Sequence, residues 1–455
     1  MLKKLLIVTL LIGLNSLSNT SKAQTSSETI TIQKAMEIAL KNNFQIQQAE
    51  NNLERAKYAE KSSFYDFFPD LNASVNYSQT RGTQFNQFAG SFADQFLENA
   101  SGSIRTSINI FDGFSNIQNL RSAQSSVLAQ KEQLTRAKED LMFNVATQFL
   151  AILLDQQLID IAKNNLASQR KQLEQVNAQV EVGSRPVADQ YNQESLVAQN
   201  ELNLIQRQNT LSNDQLRLIR SLQLDPLKDY NFITPDLSGA VNFNDYSVTE
   251  LVTEAMKNRS DLRAQEATIN SAYYTYKSSF AGHYPSLNLS AGYSTNYAYI
   301  EVDGIEIPRS TFNDQFFSEN VNNFIQLSLQ IPIFNRFSVQ NQVTSAKIQY
   351  KNAQLQFDNI KLGVVQEVRQ AYTDYLSFTK QLQASEKALV FAKKSLETQQ
   401  ERYNIGASTL IELAQANAQF VEASSNRAQS QFRLIFQEQL INYFVGKINP
   451  DFTLN

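Results

Sequence analysis

Residues 71–78 alternate strictly, with Leu71, Ala73, Val75 and Tyr77 on one face and Asn72, Ser74, Asn76 and Ser78 on the other. Ile104, Thr106, Ile108 and Ile110 stand in the same way against Arg105, Ser107 and Asn109. The pattern returns with Leu287, Leu289, Ala291 and Tyr293, and again with Ile325, Leu327, Leu329, Ile331 and Ile333. A period of two marks strands with one apolar and one polar face. It predicts four strands, at about 71–79, 103–111, 286–295 and 323–333. Pro332 cannot donate to a ladder and belongs near a strand end or an edge.

Between and after these strands the period lengthens. Leu120, Val127, Leu134 and Leu141 recur every seven residues, as do Val343, Tyr350, Phe357 and Val364. Ala346, Ala353 and Ile360 fill the intermediate positions of the second series, which is the spacing of a coiled-coil seam. Small residues such as Ala123 and Ala137 allow neighbouring helices to approach. The segments 114–180 and 337–403 each span 67 residues, broken by no proline and by Gly363 alone. At 1.5 Å per residue each predicts a rod of roughly 100 Å. The flanking helices, about 30–66, 187–224, 248–282 and 410–446, are near half that length, so two laid end to end match one rod.

The chain is internally duplicated. AMEIALKNN (35–43) aligns with LVTEAMKNR (251–259), and FFPDLNASVNYS (67–78) with HYPSLNLSAGYS (283–294), both at an offset of 216. INIFDGFSNI (108–117) aligns with IPIFNRFSVQ (331–340) at 223, so seven extra residues lie between the second pair of strands, where a loop tolerates them. The repeats are expected at 24–224 and 248–446. A linker, 225–247, would form a non-helical patch at mid-height of the rods, and a tail follows at 447–455.

Composition narrows the class. Lys3 and Lys4, the apolar run LLIVTLLIGL (5–14) and Ser21-Lys22-Ala23 read as a signal peptide, 1–23, cleaved after Ala23; the run is short for a membrane anchor. No comparable apolar run follows, so no transmembrane helix is expected. There is no Cys and one His, His283, read as structural or interfacial. Disulfides, thiol nucleophiles and the usual zinc sites are excluded, and no metal or cofactor is expected. A net charge of −4, with both signs dispersed, leaves no nucleic-acid footprint. No convergent nucleophile and base are visible, so the chain reads as an exported protein and not an enzyme.

Four strands of this length suit a bilayer crossing, but four cannot close, and an open edge in lipid leaves backbone groups unpaired. Several chains would have to pool them, and three would supply twelve strands and six rods. Phe64, Tyr65, Phe67, Phe68, Phe280 and Tyr284 gather where helix meets strand, as an interfacial belt would. The loops 79–102 and 295–322 would then face outward, the second carrying Glu301, Asp303, Glu306, Asp314 and Glu319 as a solvated acidic run. The alternation alone suits a soluble half-buried sheet equally, which leaves a secreted coiled-coil scaffold, or an adaptor that spans no membrane, as the rival reading.

Taken in order, the leader, the duplication, FFPDLN and HYPSLN entering strands, NIFDGF and PIFNRF leaving them, and the turns VEVGSRPVADQYN (180–192) and RYNIGASTLIELAQAN (402–417) resemble the TolC family of outer-membrane efflux proteins. The resemblance covers nearly the whole chain after the leader. It implies an α+β membrane protein: a homotrimer with a twelve-stranded β-barrel in the outer membrane of a Gram-negative bacterium, four strands per protomer, and a long α-helical coiled-coil tunnel through the periplasm. It also implies a periplasmic adaptor (membrane fusion) protein and an inner-membrane transporter of RND or ABC type as partners. Small-molecule or drug efflux is the expected function, with a type I protein secretion duct as the alternative. By alignment of the turns, Tyr403 and Asp189 match a gating tyrosine and acidic residue, and Glu412 an acid of a constriction ring. Ser408 stands where the family pattern has a gating arginine, and Gln415 where it has a second ring acid; Arg185, from the other turn, could substitute for the former. The tips Val182, Gly183, Ser184, Arg185, Pro186 and Ile405, Gly406, Ala407, Ser408 would meet the adaptor.

Overall fold

A computed structural model of the chain describes residues 28–86, 90–233 and 245–448; the leader, residues 234–244 of the linker and residues 449–455 of the tail lie outside these. The first repeat comprises β1 (Glu28–Ile30), α1 (Ile32–Asn42), α2 (Phe44–Tyr65), β2 (Asp70–Asn86), β3 (Ser91–Phe111), α3 (Ser115–Glu181) and α4 (Val187–Ser221). After β4 (Tyr230–Phe232) come α5 (Val248–Asn258), α6 (Ser260–Ser278), β5 (Ser286–Val302) and the short β6 (Ile305–Glu306). A turn, α7 (Phe312–Asp314), runs into a π-helical turn, Gln315–Glu319, before β7 (Asn322–Gln330), α8 (Ser338–Asn404) and α9 (Leu410–Phe444).

The strand-to-rod handover is built the same way twice. Gly113 and Phe114 have φ of 70° and 71°, and Arg336 and Phe337 have 54° and 59°. Two successive left-handed residues swing the chain out of the sheet, so both rods begin one residue later than the sequence predicts, at Ser115 and Ser338. Asp112 Oδ2 accepts from Asn116 N at 2.7 Å and caps the first rod. Gly113 is required for space as well as for φ, because a Cβ there would lie 2.6 Å from the Ala281 carbonyl oxygen. In the second copy a side chain occupies the position, at a cost on the order of 1 kcal/mol for the left-handed backbone.

Four strands form one antiparallel sheet in the order β2-β3-β5-β7, with β6 folded against the far end of β5. The register places Leu71, Val75, Ile104, Ile108, Leu287, Leu289, Ile325, Leu327 and Leu329 on one face. Val75 is 82% exposed and Ile325 83%. Asn, Ser and Gln fill the other face. Beyond the apolar band the strands continue: β2 and β3 pair without interruption from Asp70↔Ser107 to Asn86↔Ser91, and β5 runs to Val302. The outward loop expected at 79–102 is therefore mostly hairpin. Past the band polar and apolar residues no longer alternate, so the period-two signal fades while the main-chain ladder does not. β7 is shorter than expected and ends at Gln330, two residues before Pro332, which cannot donate. The expected acidic run is partly tied down: Asp303 Oδ1 accepts from Asp94 N of β3 at 2.9 Å, and Glu319 from Ser310 Oγ at 2.7 Å.

The expected helices 30–66 and 248–282 are each broken, at Asn43 (φ −67°, ψ 127°) and at Arg259 (φ −66°, ψ 126°), 216 residues apart. β1 pairs in parallel with β4, and Phe232 of β4 meets Phe149, near the middle of α3, edge-on at 6.0 Å. Ile30, Met36, Val145, Phe149, Ile152, Leu218 and Ile435 make this mid-rod core. It explains one departure: α3 holds a stretch apolar enough to cross a membrane (mean hydropathy 1.3), where none was expected after the leader, yet half of it is buried within the protein. Leu251, Val364, Val368, Tyr375 and Ile441 form the corresponding core of the second repeat.

Candidate functional site at the helical tips

Each rod ends in the same stop. Gly183 (φ 74°) donates to Val180 O and Ser184 N to Gln179 O, both at 2.9 Å. Gly406 (φ 76°) donates to Tyr403 O at 3.1 Å and Ala407 N to Arg402 O at 2.8 Å. These paired bonds satisfy the last carbonyls of a helix and need a left-handed residue. They expose Val182, Gly183, Ser184, Pro186, Ile405, Gly406 and Ala407, with Arg185 and Ser408 half-buried.

The two turns of one protomer meet through Arg185. Its guanidinium lies 4.4 Å from the Tyr403 ring centre, and Nη1 donates to Asp189 Oδ2 at 3.3 Å. Tyr403 packs with Val176, Leu410 and Leu413 and is buried. Its hydroxyl is buried beside the Gln172 side chain, which with Arg185 draws the phenol down, but makes no well-formed hydrogen bond among the described residues. Burial raises the Tyr403 phenol above its usual pKa, against the pull of Arg185. Tyr403, Asp189 and Arg185 thus come together within one chain.

Glu412 and Ser408 form a separate clasp. Thr409 Oγ1 accepts from Glu412 N at 3.2 Å, while Glu412 Oε2 accepts from Thr409 N at 2.9 Å and from Ser408 Oγ at 2.8 Å. This is a capping box that fixes the start of α9. The Thr409 N–H and the Ser408 hydroxyl hold the Glu412 carboxyl below its ordinary value. Gln415 is exposed three residues on and joins neither group, and His283 is exposed at the far end of the rods.

Sequence reasoning missed the polar seam above the tips. Gln193, 1% exposed, donates to the Gln169 side chain at 2.8 Å, and Asn165 links Asn200 (2.7 Å) to Asn417 (2.8 Å) across α3, α4 and α9. A cleft of about 380 Å³ opens between the hairpins here, lined by Gln169, Gln172, Gln193, Gln400, Leu413 and others. The signal was present: extending the seven-residue register from Leu141 reaches Gln148, Asp155, Ala162, Gln169 and Val176. Also missed was a network within the second repeat, in which Arg259, 3% exposed, pairs with Asp261 (2.6 Å) and Glu367 (2.7 Å). Burial lowers the pKa of this guanidinium, but the two carboxylates more than offset that and raise it above its usual value.

The fold has counterparts in known proteins. TolC of Escherichia coli K12 is 24% identical over 388 residues, covering 84% of this chain and 75% of that protein. The crystal structure of VceC from Vibrio cholerae superposes with a TM-score of 0.76 at 16% identity, covering 91% of this chain and 96% of that one. The CmeC outer membrane channel of Campylobacter jejuni gives 0.78 at 15% identity, covering 93% and 87%. The profile of the family described as "Outer membrane efflux protein" matches residues 35–222 and 251–440, most of both repeats, and the chain belongs to that family.

Proposed function

We propose that the protein is the outer-membrane exit duct of a tripartite efflux system, passing small molecules from an inner-membrane transporter and its periplasmic adaptor to the outside. One observation carries the reading. The sheet has a largely exposed apolar face and two unpaired edges, on β2 and β7, among the described residues. Lipid can cover the face but not the edges, so the sheet is complete only when β2 of one protomer pairs with β7 of the next. Three protomers then close twelve strands around the Asn- and Ser-rich face. Phe64, Tyr65, Phe68 and Tyr284, each about half exposed or more, suit the inner interface of that bilayer.

The tips serve as gate and dock in this reading. The Arg185 contacts hold the two hairpins of a protomer together, so a cation from the first turn does the work that Ser408 cannot. The Ser408–Glu412 clasp sets the direction of the returning helix and leaves one carboxylate per protomer at the constriction. Exposed Val182, Ile405 and Ile411 offer the adaptor an apolar edge.

Planar-bilayer recording of the purified protein, with wild type beside Arg185→Ala, tests both layers. Discrete pores from a heat-resistant trimer, with larger conductance in the variant, are expected. Equal conductance removes Arg185 from the gate. Protein that stays monomeric and never inserts refutes the duct.

A further inference from the structure

The polar face of the sheet is uniform except at one row. From Asp70 to Ser78, Ser101 to Asn109, Asn288 to Asn296 and Asn322 to Gln330, that face carries Ser, Asn and Gln but for Asp70, Arg105, Gly292 and Phe324. The last three are consecutive partners across the ladder, Arg105 opposite Gly292 and Gly292 opposite Phe324. The Phe324 ring lies over Gly292, where a Cβ would sit 2.5 Å from Cε1. The Arg105 guanidinium stands 5.4 Å from the ring centre.

Arg105 is exposed and is the one cation on the polar face of the described strands. No carboxylate pairs with it among the described residues. The acid on the same face, Asp70, is engaged by Ser107 N (2.7 Å), Ser107 Oγ (2.8 Å) and Asn72 Nδ2 (3.0 Å). The row therefore presents an uncommitted planar fork of donors flanked by an aromatic ring.

We propose that Arg105 and Phe324 form a binding station for organic anions in the barrel lumen, favouring aromatic solutes that carry a carboxylate, sulfonate or phosphate. The inference rests on the trimeric-duct reading, which points this face at the pore. The guanidinium takes the anionic group in a bidentate, charge-assisted pair, and Phe324 stacks on the apolar part. Twelve strands spaced ~4.8 Å and tilted ~40° enclose a backbone diameter of about 24 Å. Three inward-reaching guanidinium groups thus lie within about one Debye length (~8 Å) of a solute near the axis. Around the rest of this face the amides and hydroxyls are neutral and the one acid, Asp70, is held by Ser107 and Asn72, so no second cation competes for the anion.

Fluorescence anisotropy of pyranine, an aromatic trisulfonate, titrated with the detergent-solubilised trimer tests this. A cationic dye of similar size, thioflavin T, serves as control. Wild type is expected to bind pyranine and not the control, and Arg105→Gln to bind it roughly tenfold or more weakly. Arg105→Lys should fall between, keeping the charge and losing the fork, and Phe324→Leu should weaken binding with the charge intact. In bilayers, pyranine added on the barrel side should block the wild-type pore and not the Arg105→Gln pore. Equal affinity of wild type and Arg105→Gln, or no pyranine binding by a wild-type trimer that forms pores, overturns the station and leaves the duct standing. A wild-type protein that forms no trimer and no pores overturns the duct, and the station falls with it.

Discussion

Replacing Glu438 with glutamine should stabilise the protein, and only at neutral and alkaline pH. Glu438 lies on α9 between buried Leu434, Ile435 and Ile441, is 6% exposed, and leaves Oε1 buried without a partner among the described residues. Burial alone raises its carboxyl from 4.5 to about 7, with no neighbouring charge contributing. An acid whose folded pKa lies above its unfolded one contributes most below the unfolded value, and that contribution is lost as pH rises through the folded one. At about 1.36 kcal/mol per unit, the ionised side chain costs about 3 kcal/mol per protomer at pH 8 and under about 1 kcal/mol at pH 5. The amide matches the protonated acid in shape and removes the titration. Thermal unfolding of the detergent-solubilised protein, followed by circular dichroism at the two pH values, should show Glu438→Gln close to wild type at pH 5 and clearly higher-melting at pH 8. Asp155, which burial and the adjoining Asp214 raise to about 6, adds to the pH dependence of both proteins alike. A variant that melts lower than wild type at pH 8, or one that tracks it across the whole range, would refute the reasoning. Either result would mean that the assembled protein supplies this carboxylate with a cation.

Four shorter predictions rest on single contacts. Arg185→Ala, which loses a half-buried cation–π contact and an ion pair, should open the gate several-fold more often, by about 0.5–2 kcal/mol. Thr409→Ala removes the cap of α9 and should cost about 1 kcal/mol locally, read as faster proteolytic nicking at the second tip. The Glu412 half of that cap, its carboxyl held low, is present above the ordinary carboxylate range and should be lost as pH falls below it, so nicking of wild type should rise in acid. Gly113→Ala would drive a Cβ into the Ala281 carbonyl and should abolish heat-resistant trimers in outer-membrane fractions. Ile325→Arg, on the apolar face, should impair insertion at a cost of roughly 2–4 kcal/mol per chain, measured as protein left in the periplasmic fraction.

What could be read from the sequence followed the reach of each signal. The rods were legible because the heptad register and the absence of proline act at every residue, and their length emerged with a shift of one position. That shift comes from Phe114 and Phe337, whose left-handed backbone no pattern of polarity records. The breaks at Asn43 and Arg259 carry neither proline nor glycine. Asn43 Nδ2 reaches across to Ser221 O at 3.5 Å, and Arg259 is held by Glu367 of the other rod. Asn43 also caps α2 by accepting from Gln45 N at 2.8 Å, a local signature, whereas the Arg259 break has no such cap and depends on its tertiary contact. The strands were found where lipid and water lie on opposite faces, and were missed beyond that band, where only the main-chain ladder continues.

The tip shows why duplication helps with architecture and misleads about roles. Both turns keep the glycine stop, so their places follow from alignment of the repeats alone. Their chemistry diverged: the first turn holds Arg185 and Asp189 one helical turn apart, and the second holds Ser408 and Glu412 at the same spacing. In the first, the acid completes an ion pair and leaves the guanidinium face free for Tyr403 of the other hairpin. In the second, the acid turns back onto its own helix start. An arginine at 408 would compete with the Thr409 N–H for that carboxylate, so the serine both lacks the reach to bridge the hairpins and strengthens the cap. The bridge can therefore come only from the first turn. Sequence spacing named both acids, but the different partners that the two turns offer decided which one joins the hairpins.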